Sequence, residues 1–297
     1  MAETKAAFRR RVGRMLRILV TATATSGGGS SFVAASLLDH FPTDDDMVDA
    51  AIYSATQSTW RRCSAWVAST FTGTVNRTFP IAIGTDALEV YNTFNPDELD
   101  AALQDALTEA YPYLATQVVN TSLIGVVSQY EYTIPSTITD LNRMLGGKVE
   151  AEVDTAVSTY PYQEVRGWTT RDTRMGNASG AHTLIIPPAE MPGVGNTIRL
   201  TGLGVLPYPS TDATSIPLSE EALRLLAYKV CEVIWRDYAP QATGRDRDYA
   251  SSQAQKYAAQ YDRYKDMFGI WLEPTAMQNM NLTSGLDLAL ARFAEPA

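Results

Sequence analysis

One well-formed helix stranded between two long β-rich stretches is what most limits the folds open to this chain. It reads FNPDELDAALQDALTEAYP, at residues 94–112. Asn95 stands where an N-cap belongs, Pro96 at the first helical position and Glu98 three residues after the cap. Such a start satisfies its first N–H groups by side-chain acceptance and has its φ pre-set by proline. Asp97 and Glu98 face the positive end of the helix dipole. Leu99, Leu103, Ala106, Leu107 and Ala110 recur at helical spacing and form one apolar stripe, and Pro112 forbids continuation. A stripe of this kind must pack on something.

The next helical pattern comes about a hundred residues later. Ser219 is its N-cap, Glu220 and Glu221 fill the first turn, and Leu223, Leu226, Ala227, Val230, Cys231, Ile234 and Trp235 make the apolar stripe. Gly244 punctuates, and a last helix is expected over about 245–268 with Tyr249, Tyr257, Tyr261, Tyr264 and Phe268 along it, closed by Trp271 and Leu272. The stranded helix is expected to pack against these two, with a bundle core of Leu99, Leu103, Leu107, Leu223, Leu226, Val230, Ile234 and Trp235. Residues 113–217 then form a β domain inserted into a helical bundle.

Both flanks of the helix read as β. From Ile18 to Tyr91, Thr, Val, Ala and aromatics are broken by turn residues, with Gly27-Gly28-Gly29 as a flexible turn, Gly73 and Gly84 separating short runs, and FPTDDDMVDA as an acidic loop. About five short strands in a small barrel or sandwich are expected there. In the second region Tyr130, Tyr132 and Ile134 alternate with polar residues, as do Val149, Ala151 and Val153. Trp168 reads as core. The spacing fits a jelly-roll-like β-sandwich. The fold class is therefore α+β: a small helical bundle carrying an N-terminal small β-barrel module and an inserted antiparallel β-sandwich. The expected bounds are 1–17 for a basic amphipathic helix, 18–94 for the β module, 95–112 with 218–272 for the bundle, 113–217 for the sandwich and 273–297 for a docking tail.

Charge is unevenly spread. The first 17 residues hold six basic side chains (Lys5, Arg9, Arg10, Arg11, Arg14, Arg17) against Glu3, so a total of −9 leaves −14 on the rest. A chain this acidic is not built to wrap nucleic acid, which needs a positive surface. The basic start lacks the apolar core of a secretory signal. Its composition overlaps that of organelle transit peptides, but the simpler reading is a short amphipathic helix whose arginines face solvent or an acidic partner. No apolar run approaches the ~20 residues of a membrane span. Cys63 and Cys231 lie far apart on buried-looking segments and read as inert core residues rather than a disulfide.

Motifs of catalysis are missing or incomplete. TSGGGSS lacks the Lys-Ser/Thr pair of a nucleotide loop, and GVGNTIRL lacks a third glycine. His40 and His182 stand on separate β regions, too isolated for zinc. No G-x-S-x-G occurs. Asp44-Asp45-Asp46 lacks the spacing of a calcium loop and reads as solvated. Glu150 and Glu152 lie on the polar face of one strand, whereas catalytic carboxylates face each other across a substrate. The tyrosine stripe at 249–264 has few cations beside it and reads as a protein contact. No active site, metal or cofactor is expected.

Two segments, FNPDELDAALQDALTEAYP and LSEEALRLLAYKVCEVIWRDY, resemble helices of the head-to-tail adaptor (neck, or connector) proteins of tailed bacteriophages. YEYTIPSTITDLNRM resembles a strand-then-proline segment of phage neck and tail proteins carrying an inserted β-sandwich. FRRRVGRML and GTVNRTFP…GTDALEVYNTFNPDEL resemble phage proteins with a β module ahead of the bundle. Adaptors of the simplest type are nearly all helical, and two β modules depart from that. The resemblance implies a structural virion protein rather than an enzyme, located in the neck and assembled in the host cytoplasm. It implies a ring, typically dodecameric, that docks on the portal protein, extends the DNA channel and offers a surface to tail or nozzle proteins. Double-stranded DNA would pass through the lumen without specific binding, and no membrane is involved. The rival class is a tail-associated carbohydrate- or receptor-binding β-sandwich protein, which needs exposed aromatics on one sheet face.

The expected partner interface comprises Trp271, Leu272, Met277, Met280, Leu282, Leu286, Leu288, Leu290 and Phe293, with Arg9, Arg10, Arg11, Arg14 and Arg17 as a second candidate surface. The tail from about 270 is too apolar to float in water and too short for its own core, so its side chains are expected to bury against another chain.

Overall fold

The computed structural model describes residues 3–141, 147–153, 162–172, 182–268 and 271–272. The chain forms two compact units. The first is assembled from two separated pieces, Met1–Ala110 and Pro207–Met267; the second holds Tyr111–Leu206 and the strand Trp271–Leu272. The architecture is α+β with largely antiparallel sheets.

In the first unit the two pieces meet at once, because the strand Glu3–Thr4 pairs antiparallel with Ser215–Ile216. Helix α1 (Lys5–Leu16) starts at Thr4, whose hydroxyl accepts from the Ala7 N–H, and closes at Arg17 in the left-handed region. Phe8, Val12 and Leu16 are buried along one stripe. A sheet follows whose strands lie in the order Leu19–Thr23, Ala87–Tyr91, Ala51–Ser54, Thr59–Val67, Thr72–Val75, Ser31–Val33 and Ser26–Gly27. This corrects the expected barrel: seven strands form one open sheet, and among the described residues no sheet closes. Period-two alternation divides its faces. Ile52, Leu88 and Val90 enter a core with Phe32, Trp66 and Cys63, closed by Leu37, Met47, Phe79 and Ile83. Tyr53, Glu89 and Tyr91 point the other way; Tyr53 and Glu89 there meet Arg9 and Arg10 of α1.

Gly73 does not separate strands, as its composition led us to expect. It lies inside Thr72–Val75 opposite Phe32, and a Cβ there would stand 2.3 Å from the Phe32 ring. The missing side chain is the seat of that ring. Gly27 to Gly29 do join strands, within the hairpin of Ser26–Gly27 and Ser31–Val33.

Helix α2 (Pro96–Glu109) has the full capping box: the Glu98 N–H donates to Asn95 Oδ1 at 2.9 Å and the Asn95 N–H to Glu98 Oε2 at 2.7 Å. Helix α3 (Glu220–Tyr238) starts from Ser219. The two pack together, and α1 contacts both. Leu99, Leu103, Leu107, Leu223, Leu226, Val230, Ile234 and Trp235 are all buried. Phe94, just before α2, sits edge-on to Trp235 and Tyr238 at 5.0 and 5.4 Å. At the other end of α2, Glu109 forms a two-bond fork with Arg236 at 2.7 and 2.8 Å and meets Lys229 at 2.9 Å. Helix α4 (Gly244–Phe268) lies on α3 through aromatic contacts: Tyr264 stacks on Tyr228 and Tyr249 meets Trp235 edge-on. Tyr257 and Tyr261 of the stripe are buried, whereas Tyr249 stays 57% exposed. Cys63 and Cys231 are free, buried thiols.

The second unit has two sheets. One runs Tyr162–Glu164, Lys148–Glu152, Thr197–Val205, Leu114–Ile124, Trp271–Leu272; the other runs Glu131–Thr133, His182–Ile185, Thr169–Asp172. Both feed one apolar cluster, with Tyr132, Leu184 and Trp168 against Val149, Ile198 and Leu200. Trp271 and Leu272 do not close the last helix. They form a strand parallel to Leu114–Ala115. Glu150, expected on a polar face, is buried with its carboxylate 3.6 Å from Arg199 Nε, while Val153 is exposed.

The Phe32 seat generates a prediction. Gly73→Ala should destabilise the first unit by about 1–3 kcal/mol, the usual range for overpacking. Denaturant unfolding monitored by tryptophan fluorescence would show it, and an unchanged midpoint would mean that the ring moves aside freely.

Candidate functional site

The basic start of the chain is the seed of the site. Arg9 on α1 is 4% exposed. A guanidinium cannot lose its proton, so burying it demands anionic partners. Asp212 supplies them: both Arg9 Nη atoms donate to its carboxylate, at 3.0 and 2.9 Å. The Tyr53 hydroxyl donates to the same carboxylate, and the Tyr53 ring lies 4.3 Å from the Arg9 guanidinium carbon. Asp100 of α2 stands 3.5 Å from Arg9 and 2.6 Å from Lys5 Nζ, which also donates to the Tyr208 hydroxyl at 2.7 Å. Burial alone would raise the Asp212 pKa, but hydrogen bonds from Arg9 and Tyr53 outweigh it and hold the carboxyl below its usual range. Tyr53 is pushed up, first by burial and then by its bond to Asp212.

The other arginines of α1 divide. Arg11 is bound by Glu3 at 2.9 Å and by both oxygens of Glu220 at 2.5 and 2.9 Å. Arg10 lies 3.3 Å from Glu89, which is buried and accepts from the Tyr91 hydroxyl. Arg14 and Arg17 are exposed. The helix therefore does meet an acidic partner, but that partner is its own chain. Arg9 is buried and Arg11 is paired within the chain. Of the remaining interface candidates, Trp271 and Leu272 are in the strand described above. Met277, Met280, Leu282, Leu286, Leu288, Leu290 and Phe293 lie outside the described residues.

Arg9 and Asp212 line a cleft of about 840 Å³ in the first unit. Trp60, Arg61, Arg62 and Arg77 also line it, as do Asp97 and Asp100 of α2. Trp60 Nε1 donates to Asp97 Oδ2 at 2.9 Å. Arg61 is fixed by neutral acceptors: Nε donates to the Thr78 carbonyl at 3.1 Å, and Nη1 donates to the Trp60 carbonyl at 2.7 Å and to Thr59 Oγ1 at 3.1 Å. Arg62 stands 3.6 Å from Asp49, both side chains largely exposed. Arg77 is exposed and, among the described residues, has no anionic partner. The carboxylates of the cleft are engaged, and Arg61, Arg62 and Arg77 are not closely paired. Such an arrangement leaves cationic groups open to solvent; neither histidine lines it. Among the described residues no group of three or more His, Cys, Asp or Glu is placed to hold a metal, and no helix is long and apolar enough to cross a membrane.

Sequence reasoning missed this cleft. The adjacent Arg61 and Arg62 were visible, but their neighbourhood with Arg77 depends on strand pairing, and that with Asp212 on contacts across some 150 residues. Compared with known protein families and with characterised proteins, the sequence matches none.

Two outcomes follow from the ion pairs. Asp212→Asn should cost about 3 kcal/mol or more by leaving Arg9 buried with only Asp100; adding Arg9→Met should recover part of that loss in a double-mutant cycle, and strictly additive losses would show that the pair is not coupled. Glu109 is held down to about 2, against an ordinary 4.5, first by its bonds from Arg236 and then by Lys229. A depressed carboxylate pKa stabilises the fold above pH 4.5 and loses that contribution as pH falls toward 2. Because the side chain is partly exposed, solvent screening reduces the effect to roughly 1 kcal/mol. Glu109→Gln should flatten the acid limb of a stability–pH curve in that window, and a parallel curve would remove Glu109 from the account.

Proposed function

We propose that this chain is a structural virion protein, a head-to-tail adaptor whose ring docks on the portal, extends the DNA channel and carries the attachment surface for the tail. In this reading the two sheets of the second unit are an inserted β-sandwich, and the apolar residues of 273–297 anchor the ring on the portal or on the adjacent subunit. The observation that supports it is the internal neutralisation of α1. Arg9, Arg10 and Arg11 are paired with Asp212, Glu89 and Glu220 of the same chain. These basic side chains of the opening segment are thus answered within the chain, whose net charge is −9. A channel lined by such subunits lets DNA slide rather than grips it. A head-to-tail ring also needs two different faces on each subunit. The rival receptor-binding reading needs an aromatic sheet face, yet Tyr132 and Trp168 of the second unit are buried.

The purified chain mixed with its cognate portal, viewed by negative-stain microscopy and native mass spectrometry, should give portals capped by a ring. A monomer that ignores portals and binds glycans would overturn the proposal. Deleting 274–297 should leave the fold intact and abolish stable attachment; full decoration by the truncated chain would show that the tail is not the anchor.

A further inference from the structure

The cleft of the first unit holds charge that the fold does not use. Arg61 spends Nε and both hydrogens of Nη1 on Thr78, Trp60 and Thr59, so its guanidinium is fixed in place without a carboxylate. A guanidinium carries five N–H groups, and the remaining two, on Nη2, have no acceptor among the described residues. Arg77 lines the same cleft without an anionic partner, and Arg62 has only a long, exposed pair with Asp49. The acids of the cleft cannot neutralise them: Asp212 is taken by Arg9 and Tyr53, Asp100 by Lys5 and Arg9, Asp97 by Trp60. Arg61 is therefore a preorganised cation, and preorganisation reduces the ordering cost of a bound anion.

We propose that this cleft is a docking site for a short acidic segment of a partner protein, one carboxylate of which accepts from Arg61 Nη2 while another is taken by the unpaired guanidinium of Arg77. Charge complementarity and its range choose the occupant. Asp44, Asp45, Asp46 and Asp49 form an exposed loop at the margin, with Asp49 3.6 Å from Arg62. A long polyphosphate entering over Arg62 meets that loop within a Debye length of ~8–10 Å and is repelled. A segment with two or three carboxylates engages Arg61 and Arg77 without crossing the loop. The hydroxyls of Ser58, Thr59 and Thr211 on the cleft surface suit the polar backbone of such a segment. The site stands on the first unit alone and does not depend on the chain forming a ring.

The test uses the full chain and a fluorescein-labelled peptide carrying three consecutive glutamates, followed by anisotropy, with a random 20-base-pair duplex as the competing probe. Arg77→Glu, whose side chain serves no contact in the fold, and Arg61→Glu should each weaken peptide binding about tenfold or more, the loss expected for a charge-assisted pair. Rising salt should weaken wild-type binding in parallel. If Arg61→Glu fails to fold, as judged by circular dichroism, Arg77→Glu and Arg77→Ala decide the matter. The proposal is overturned if the wild type does not bind the peptide at millimolar concentration, if the Arg77 variants bind it equally well, or if the duplex binds in preference to it.

Discussion

The pairing of Arg9 with Asp212 is the constraint around which the first unit is arranged. Arg9 belongs to the opening helix and Asp212 to the piece of chain that returns after the second unit. Once a guanidinium is buried, its desolvation must be offset by charge and hydrogen bonds together. Tyr53 from the sheet and Asp100 from α2 therefore converge on the same point. Compared with a well-packed apolar substitute, a buried ion pair of this kind adds little net stability. What it does is dictate which pieces may meet: a greasy contact tolerates sliding, whereas a bidentate fork does not. The Glu109–Arg236 fork acts in the same way between α2 and α3.

Local rules made part of this fold legible. The capping box of α2 and the Ser219 start of α3 are contacts between residues three apart, and their spelling in the sequence is nearly sufficient. The apolar stripes of α2 and α3, the buried Trp168 and the free cysteines likewise follow from periodicity and residue type. What was not legible depends on register and distance. Gly73 reads as punctuation until Phe32 is known to lie across it. Trp271 and Leu272 continue an apolar helix face in the sequence, yet they pair with a strand begun some 157 residues earlier. Whether seven short strands close or stay open is decided by edges that no single segment encodes.

The candidate site shows the same division more sharply. The arginines of α1 were conspicuous as a charged cluster and looked like an outward surface, because sequence shows cations but not the carboxylates that will meet them. The cleft arginines were less conspicuous, two on one strand and the third just after the next. The less conspicuous set is the one left without close anions, while the conspicuous set is mostly neutralised. Excess charge in a folded protein is thus a property of what remains after internal pairing, and composition along the chain is a poor guide to it.

The split construction of the first unit also sets an order of events during synthesis. Arg9 and Asp212 are 203 residues apart. At ribosomal rates of ~5–20 residues per second, roughly 10–40 s separate the emergence of the arginine from that of its carboxylate. Throughout that interval α1 and the seven-stranded sheet lack α3 and the loop that holds Asp212, and Arg9 has only Asp100 to answer it. The segment Tyr111–Leu206 reaches the solvent within the same interval and, apart from one short edge strand, contains its own core. Folding order therefore need not follow translation order: the middle of the chain can close before α1 meets the carboxylate that completes its burial.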